Sequence, residues 1–558
     1  MELITDLAAI RREIGLQLED SSLYPKLNLD AYKDVTPVLI KMGTNRYALL
    51  VKEVETGNFT PGGAAEPVIR KKRVKVIYYS SYFTWEKLAR KRAEYPPDEV
   101  SVLKKAFRGK SLTVHPDMAL DRYRRLGQGF ELNLALSSPL KKTWVYGLDP
   151  REVESAFLRK RNIVNRWAER RVNGELKASL KDKETIKRYL YRPPFKAFGV
   201  LKDLMRRAGL KTLLASSPIN LQEMTAVPFD RTESGLLSLY ARGRVYLLSP
   251  RPLPGYRGRG VFSTLQEAIK KLAGSGPLGV EEKHLDIGRA LPLGLNRLKN
   301  ASNLFRAWRE VRSGQDLGAY ILGSLATKYA MEGALAMASR KLMTQKPVYE
   351  KDVEREFYRL LKEYERKTGS PLKLSPYFMV LHAGTRTPYP SLPGFFRLSP
   401  LMNSLKLDAG ILVKDKNLVL ACSDLARSIV VDKKGMDLYL LLEKAMLEGA
   451  IPGGKEGQTG EGVYWAGMDP LLKEEKALRS WKLIPPGGLL KKHYNRDIGH
   501  TFGKQESTTL FFKKGEKGQT LKEGMVSAIE YQWPYKGYAL GIEDMFVVGP
   551  EYGINITR

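Results

Sequence analysis

A chain of 558 residues exceeds what one hydrophobic core ordinarily supports, so several domains are expected, and three is the count this sequence favours. Its 43% hydrophobic and 28% charged content fits a soluble globular protein, with no apolar run near the roughly 20 residues that cross a bilayer. A net charge of +32 creates a positive field that attracts nucleic acid, anionic lipid or acidic protein, while a single cysteine, Cys422, excludes an intrachain disulfide framework.

The opening MELITDLAAIRREIGLQLED mixes acidic and basic residues among apolar ones and has neither an uninterrupted apolar core nor a small-residue cleavage site. A cytoplasmic location without membrane contact is expected. Tyr47–Val51, Val74–Tyr78 and Leu112–His115 read as short β-branched and aromatic strands, with Val100–Phe107 as a helix before the last of them. Residues 1–140 are therefore expected to form an α/β domain. Next comes a basic, mainly helical connector over 141–194, opened by Asp149-Pro150, where Asp149 can cap free amides and Pro150 suits the first turn. Pro193-Pro194 ends it.

The same order returns over 195–300, with strands at Thr212–Ala215, Val245–Leu248 and Leu278–Glu281 and a helix over Thr264–Leu272. A duplicated α/β unit is the expectation, the first copy carrying the weaker pattern. Apolar residues at helical spacing over Leu304–Val311 and Leu317–Met337 lead into a third domain over 301–558, where helices at 351–368, 437–448 and 471–481 alternate with strands at 405–412 and 418–431. The glycine-rich stretch Pro452–Gly460 lacks the Gly-Lys-Ser/Thr ending of a phosphate-binding loop and reads as a turn between helices.

Five side chains of this third domain carry metal-ligand chemistry: Asp408, Asp424, His500, Glu530 and Glu543. Four hard oxygen donors and one imidazole suit Mn, Zn, Co or Fe better than Ca, and the single cysteine excludes a thiolate-bound structural zinc. Each residue taken alone also has an ordinary reading as a turn acid, a partner for a basic side chain or a structural histidine. The aromatic cluster Tyr531, Trp533, Tyr535 and Tyr538 is equally a pocket wall or core packing.

Taken in order, the contexts Leu407-Asp408-Ala409-Gly410, Ser423-Asp424-Leu425-Ala426-Arg427, Gly499-His500, Met525–Glu530 and Ile542-Glu543-Asp544 resemble the creatinase/aminopeptidase (pita-bread) metallopeptidases, most closely the Xaa-Pro aminopeptidase and prolidase branch. The resemblance implies one or two creatinase-N-like α/β domains followed by a carboxy-terminal pita-bread domain of α+β type. It further implies two divalent ions, with Asp408 holding one, Asp424 and Glu543 bridging both, and His500 with Glu530 completing the second. Such a pair activates a water for attack on a peptide bond, with Glu530 taking its proton. A peptide substrate, and a homodimer, follow as expected partners.

The sequence also departs from that family. Asp408 and Asp424 are sixteen positions apart where eleven is usual, with Lys414–Asn417 as the apparent hairpin tip. Pro388–Ser391 stands where the family places a histidine, and Gln505-Glu506 replaces its His-Glu pair; His382 is the nearby candidate to stand in catalytically. A metal-dependent peptidase of altered or reduced activity is the leading expectation. The alternative is a catalytically degenerate pita-bread protein that binds nucleic acid or an acidic protein partner. Because the basic residues are spread over all three domains, nucleic-acid binding is expected to be weak and non-specific.

Overall fold

The computed structural model describes residues 111–558 apart from 115, 117, 135–141, 229–234, 257–259, 384–396, 399–403, 485–486, 495, 506–508 and 536–537. Before these it describes Val100 and three strands, β1 (Val38–Gly43), β2 (Arg46–Lys52) and β3 (Val74–Ser80). The expected helix over Val100–Phe107 lies, past its first residue, outside the described residues, as does Pro388–Ser391.

Two sheets precede the third domain. The first joins β1, β2 and β3 to β4 (Ser111–Val114) and β5 (Glu131–Leu134) in the order β3-β2-β1-β4-β5. The second comprises β6 (Thr143–Leu148), β7 (Thr212–Ala215), β8 (Leu237–Ala241), β9 (Arg244–Ser249), β10 (Gly260–Phe262), β11 (Leu278–Val280) and β12 (Leu298–Asn300), in the order β10-β6-β9-β8-β7-β11-β12. Within it, β9-β8-β7-β11-β12 repeats the order and directions of β3-β2-β1-β4-β5: two antiparallel pairings, then two parallel ones. The strand matching shifts in one place. Tyr47–Val51 belongs to β2 and so corresponds to β8, not to Thr212–Ala215, whose counterpart is β1.

The stretch expected to be a basic connector is built differently. Its first segment, Thr143–Leu148, pairs with β9 and β10 as a strand of the second sheet, because TWVYGL carries β-branched and aromatic residues suited to a pleated surface. Its helices α1 (Pro150–Leu158), α2 (Arg161–Glu175) and α3 (Leu180–Leu190) follow, with Asp149 accepting from Arg151 N and Pro150 in the first turn. These helices are not a free linker: Val153, Phe157, Val164 and Trp167 are buried in the core shared with the third domain, and the Trp167 indole donates to Thr368 O at 3.0 Å.

Helices α4 (Pro218–Thr225) and α5 (Leu265–Ala273) connect strands of the second sheet, and α6 (Ser302–Arg312) and α7 (Leu317–Met343) open the third domain. Helix α7 is buried throughout 317–327, where Tyr320, Ile321, Leu322 and Ala326 lie under the third sheet, and its other side meets α8 (Glu350–Thr368). Val353, Phe357, Leu360, Leu361 and Tyr364 form the apolar stripe of α8, acids occupy its first turn and bases its last, and Gly369 ends it at φ 60°.

The third sheet contains β13 (Lys373–Ala383), β14 (Ser404–Asp415), β15 (Leu418–Cys422), β16 (Leu425–Val430), β17 (Gly499–Thr501), β18 (Val526–Tyr535), β19 (Tyr538–Val547) and β20 (Ile554–Asn555). Its main order is β13-β14-β16-β19-β18-β17, with β15 on β14 and β20 on β19. Alternation explains β14: Leu405, Leu407, Ala409, Ile411 and Val413 are buried in the core with α7, leaving Lys406 and Asp408 on the opposite face. Helices α9 (Lys433–Lys444) and α10 (Gly460–Lys473) cover the same face as α7 farther across the sheet, over Ile529, Tyr531 and Ile542, and are joined through the glycine-rich turn that Thr459 closes by capping α10.

Candidate metal centre

Antiparallel register assembles the acids in one row, since directly opposed residues share a face of the sheet. Asp408 opposes Ala426, Ala426 opposes Glu543, and Glu543 opposes Glu530. Three carboxylates from β14, β19 and β18 therefore line one face, with small Ala426 leaving space between Asp408 and Glu543. His500 opposes Ala528, two positions along β18 from Glu530, and so joins the same face one step away.

Asp424 reaches the row from the link between β15 and β16. Strand β14 pairs with β15 along its second half and with β16 along its first, so Ser423-Asp424 forms the step between the two pairings. Ser423 N donates to Ile411 O at 3.0 Å, and Ile411 N donates to Ser423 Oγ at 3.0 Å. Gly410 is required beneath this step, because a Cβ there would collide with Ser423 O. The longer hairpin therefore spends its extra residues beyond the site, at a tip where Lys416 sits at φ 56°.

Two overlapping ligand groups result. Potential donor atoms of Asp424, His500 and Glu543 lie within 4.8 Å of one another, all three residues being buried, and those of Asp408, Glu530 and Glu543 do likewise. His500 Nε2 is 3.8 Å from Asp424 Oδ2, its Nδ1 is 3.1 Å from Thr501 O, and its ring packs edge-on against Phe502. Two carboxylates and one imidazole in this arrangement suit one divalent ion of the Mn, Zn, Co or Fe type.

The second group contains a cation of the protein's own. Lys406, fully buried, places Nζ 3.0 Å from Asp408 Oδ2, 3.0 Å from Glu530 Oε1 and 3.4 Å from Gln532 Oε1. Lys406 and Ser428 oppose each other, as do Gly541 and Gln532, forming the row beside that of the acids. Ser428 Oγ ties the two pairs together, donating to Gly541 O at 2.9 Å and accepting from Gly541 N at 3.0 Å. Burial works to lower the Lys406 pKa, but the carboxylates of Asp408 and Glu530 outweigh it and raise the ammonium above its ordinary value. Burial likewise pushes Glu530 upward, and Lys406 reverses this, holding its carboxyl below the usual range.

All five expected ligands thus come to one region of one sheet face. His382 is on β13, opposite Lys406 in register, while Val380 is the residue opposite Asp408. Tyr531 and Trp533 are core residues, Tyr531 donating to Gly467 O at 2.7 Å. Cys422 is buried. Lys406 was the functional-site residue that the ligand pattern alone did not reveal, although its place two residues before Asp408 on a strand puts both on the same face. On the opposite face, Arg427 Nη2 donates to Asp544 Oδ1 at 2.5 Å, fixing β16 against β19 behind the acids. No helix among the described residues is long and apolar enough to cross a membrane.

Residues 329–550 match the model of metallopeptidase family M24, and this part of the chain is an M24 domain with the pita-bread fold. No curated protein matches the chain in sequence. Among solved structures, the chain is similar to a prolidase from Pyrococcus horikoshii OT3, at 16% identity and TM-score 0.48, over 65% of this chain and 98% of that one. It is similar to an Xaa-Pro dipeptidase from Bacillus anthracis, at 18% identity and TM-score 0.46, over 65% and 98%. A third similar structure is the N-terminal domain of the FACT complex subunit SPT16 from Cicer arietinum, at 14% identity and TM-score 0.48, over 67% and 96%.

Proposed function

We propose that the M24 domain is a metal-dependent peptidase of the Xaa-Pro aminopeptidase or prolidase type, with activity reduced relative to a site lacking Lys406. The observation that carries this reading is the buried group Asp424, His500 and Glu543, whose donors lie within 4.8 Å of one another on a sheet of the M24 domain. These three residues would hold the ion, which when bound supplies polarisation of the scissile carbonyl and acidification of water. Glu530, at the more open edge of the row, is the group to accept the water's proton. Lys406 keeps that carboxylate ionised and ready, and by the same attraction makes it a weaker base. On this reading His382 is the candidate for the substrate-directed imidazole, its strand position lying opposite Lys406.

The test is hydrolysis of Xaa-Pro dipeptides and longer Xaa-Pro peptides by the full chain supplied with Mn, Zn or Co, alongside chelator-treated protein. Metal-dependent cleavage that Glu530→Gln abolishes, with its unfolding transition unchanged, is the expected result. One observation favours a second reading, a binding module on a degenerate peptidase scaffold: an ammonium occupies ground that ligands would otherwise share. Absence of turnover in protein shown to carry its ion would select that reading.

A further inference from the structure

Lys406 is inserted into the acid row by features that look built for it. Its three donors meet three acceptors, Asp408 Oδ2, Glu530 Oε1 and Gln532 Oε1, which accounts for every N–H of an ammonium. Its aliphatic stem lies across Gly541: a Cβ at that position would stand 2.5 Å from Lys406 Cε and 2.8 Å from Cδ, so any other residue there would require the end of the lysine to shift. The strand on which it sits is central, with β13 on one side and β16 on the other, so the backbone beneath it cannot swing aside.

We infer that the Lys406 ammonium stands in for one of the two divalent ions, so that the centre holds a single ion on Asp424, His500 and Glu543. This rests on the metal-dependent reading given above. The ammonium takes one oxygen from Asp408 and one from Glu530, residues of the second ligand group. A dication entering that group would face the repulsion of a buried positive charge as well as the loss of its donors. Occupation of a second position is therefore expected to be weaker than the first by on the order of 100-fold or more. The three hydrogen bonds of Lys406 go to Asp408, Glu530 and Gln532, none of which belongs to the donor set of the first ion.

Titration of the metal-free full chain with Mn(II), read by elemental analysis and by electron paramagnetic resonance, tests the count without any assay of activity. Wild type should bind one ion per chain with the spectrum of an isolated Mn(II). Lys406→Met should admit a second ion and give the signature of an exchange-coupled pair. In the wild-type background, Asp408→Asn should leave the single ion in place within a few-fold of its affinity, whereas His500→Ala should weaken it by more than about 100-fold. These last two variants decide the matter even where Lys406→Met fails to fold. Two coupled ions of comparable affinity in wild type would overturn the inference, as would greater loss of the ion in Asp408→Asn than in His500→Ala. No ion bound by either wild type or Lys406→Met is a different result, and overturns the metal-dependent reading itself.

Discussion

Two fully buried lysines sit in two clusters of buried charge, and the company each keeps separates a structural network from a site. At the junction between the second sheet and the third domain, Lys504 lies 2.8 Å from Glu223 Oε2 and 3.7 Å from Asp316 Oδ2, while Arg312 pairs with the other oxygen of Glu223. Both cations also lie over the face of Phe157, Arg312 at 4.5 Å and Lys504 at 3.9 Å. Two cations there meet two carboxylates, with Arg309 also acting on Glu223, so the charges of the junction are matched in sign and number more closely than those of the sheet face. On the third sheet, the Lys406 ammonium pairs with Asp408 and Glu530 in a group that also holds the carboxylates of Asp424 and Glu543, with Arg496 and His500 acting on Glu530. Four carboxylates gathered in a low-dielectric setting suit a further cation. Balance marks the junction as a fastening between domains, and imbalance marks the sheet face as a place where something binds.

Removing one acid from each cluster should therefore have opposite consequences. Glu223→Ala strands Arg312 and Lys504 in the interior and is expected to destabilise the fold by about 3–5 kcal/mol, measurable as a lowered midpoint in denaturant. Asp424→Asn in metal-free protein relieves repulsion among carboxylates and should leave the midpoint unchanged or raise it. A large loss in the latter would show that the sheet-face acids are as fully satisfied as those of the junction, and the contrast would fail.

Added ion sharpens the same contrast. At a free Mn(II) concentration 100 times its dissociation constant, wild type should gain about 2.7 kcal/mol of stability, seen as a shift in thermal unfolding. Asp424→Asn and His500→Ala should lose that gain, and a conservative change at the junction such as Lys504→Met should keep it. An equal gain in His500→Ala would place the stabilising ion somewhere other than the proposed triad.

The junction also makes a smaller prediction about pH. Burial raises the Asp316 carboxyl above its ordinary value of 3.8, with Lys504 and Arg312 opposing this and Glu223 adding to it. A carboxyl whose folded-state pKa is raised binds its proton more tightly in the folded chain, so stability falls as pH climbs from 3.8 through the folded-state value. Asp316→Asn should flatten this part of the stability profile, read as unfolding midpoints across the acid range. An unchanged slope would show that Asp316 binds its proton no more tightly in the folded chain than in the unfolded one.

Much of this was legible in the residues themselves. The contexts and order of Asp408, Asp424, His500, Glu530 and Glu543 resembled those of the creatinase/aminopeptidase family, and that resemblance implied one shared site. The two related α/β sheets were readable as recurring strand and helix patterns, but β1 was passed over and β2 put in its place, since short apolar runs do not announce which neighbour they pair with. The strand at Thr143–Leu148 was hidden inside a basic, helix-rich stretch, and only pairing with β9 and β10 makes it a strand. Lys406 shares the face of Asp408 by alternation, yet no sequence motif sets it apart from the other basic residues. Its role depends on Gly541 and Gln532, more than 120 positions away, brought beside it by a register that no local pattern specifies.

The smallest effect concerns the hairpin that separates Asp408 from Asp424. Its tip carries Lys416 at φ 56°, a conformation that glycine adopts without the steric cost borne by other residues. Lys416→Gly relieves that cost but loosens the unfolded chain, and the net change in stability should stay within about 1 kcal/mol. Ion affinity should not move, because Asp424 is held at the other end of β15 by the hydrogen bonds between Ser423 and Ile411. Gly410→Ala supplies the counterpart: its Cβ would press on Ser423 O and displace the step that carries Asp424, so ion binding should weaken. Calorimetric titration of both variants reads the difference. Equal affinity in the two would mean that the placement of Asp424 does not depend on the Ser423 step, and that the added hairpin length is accommodated elsewhere in the sheet.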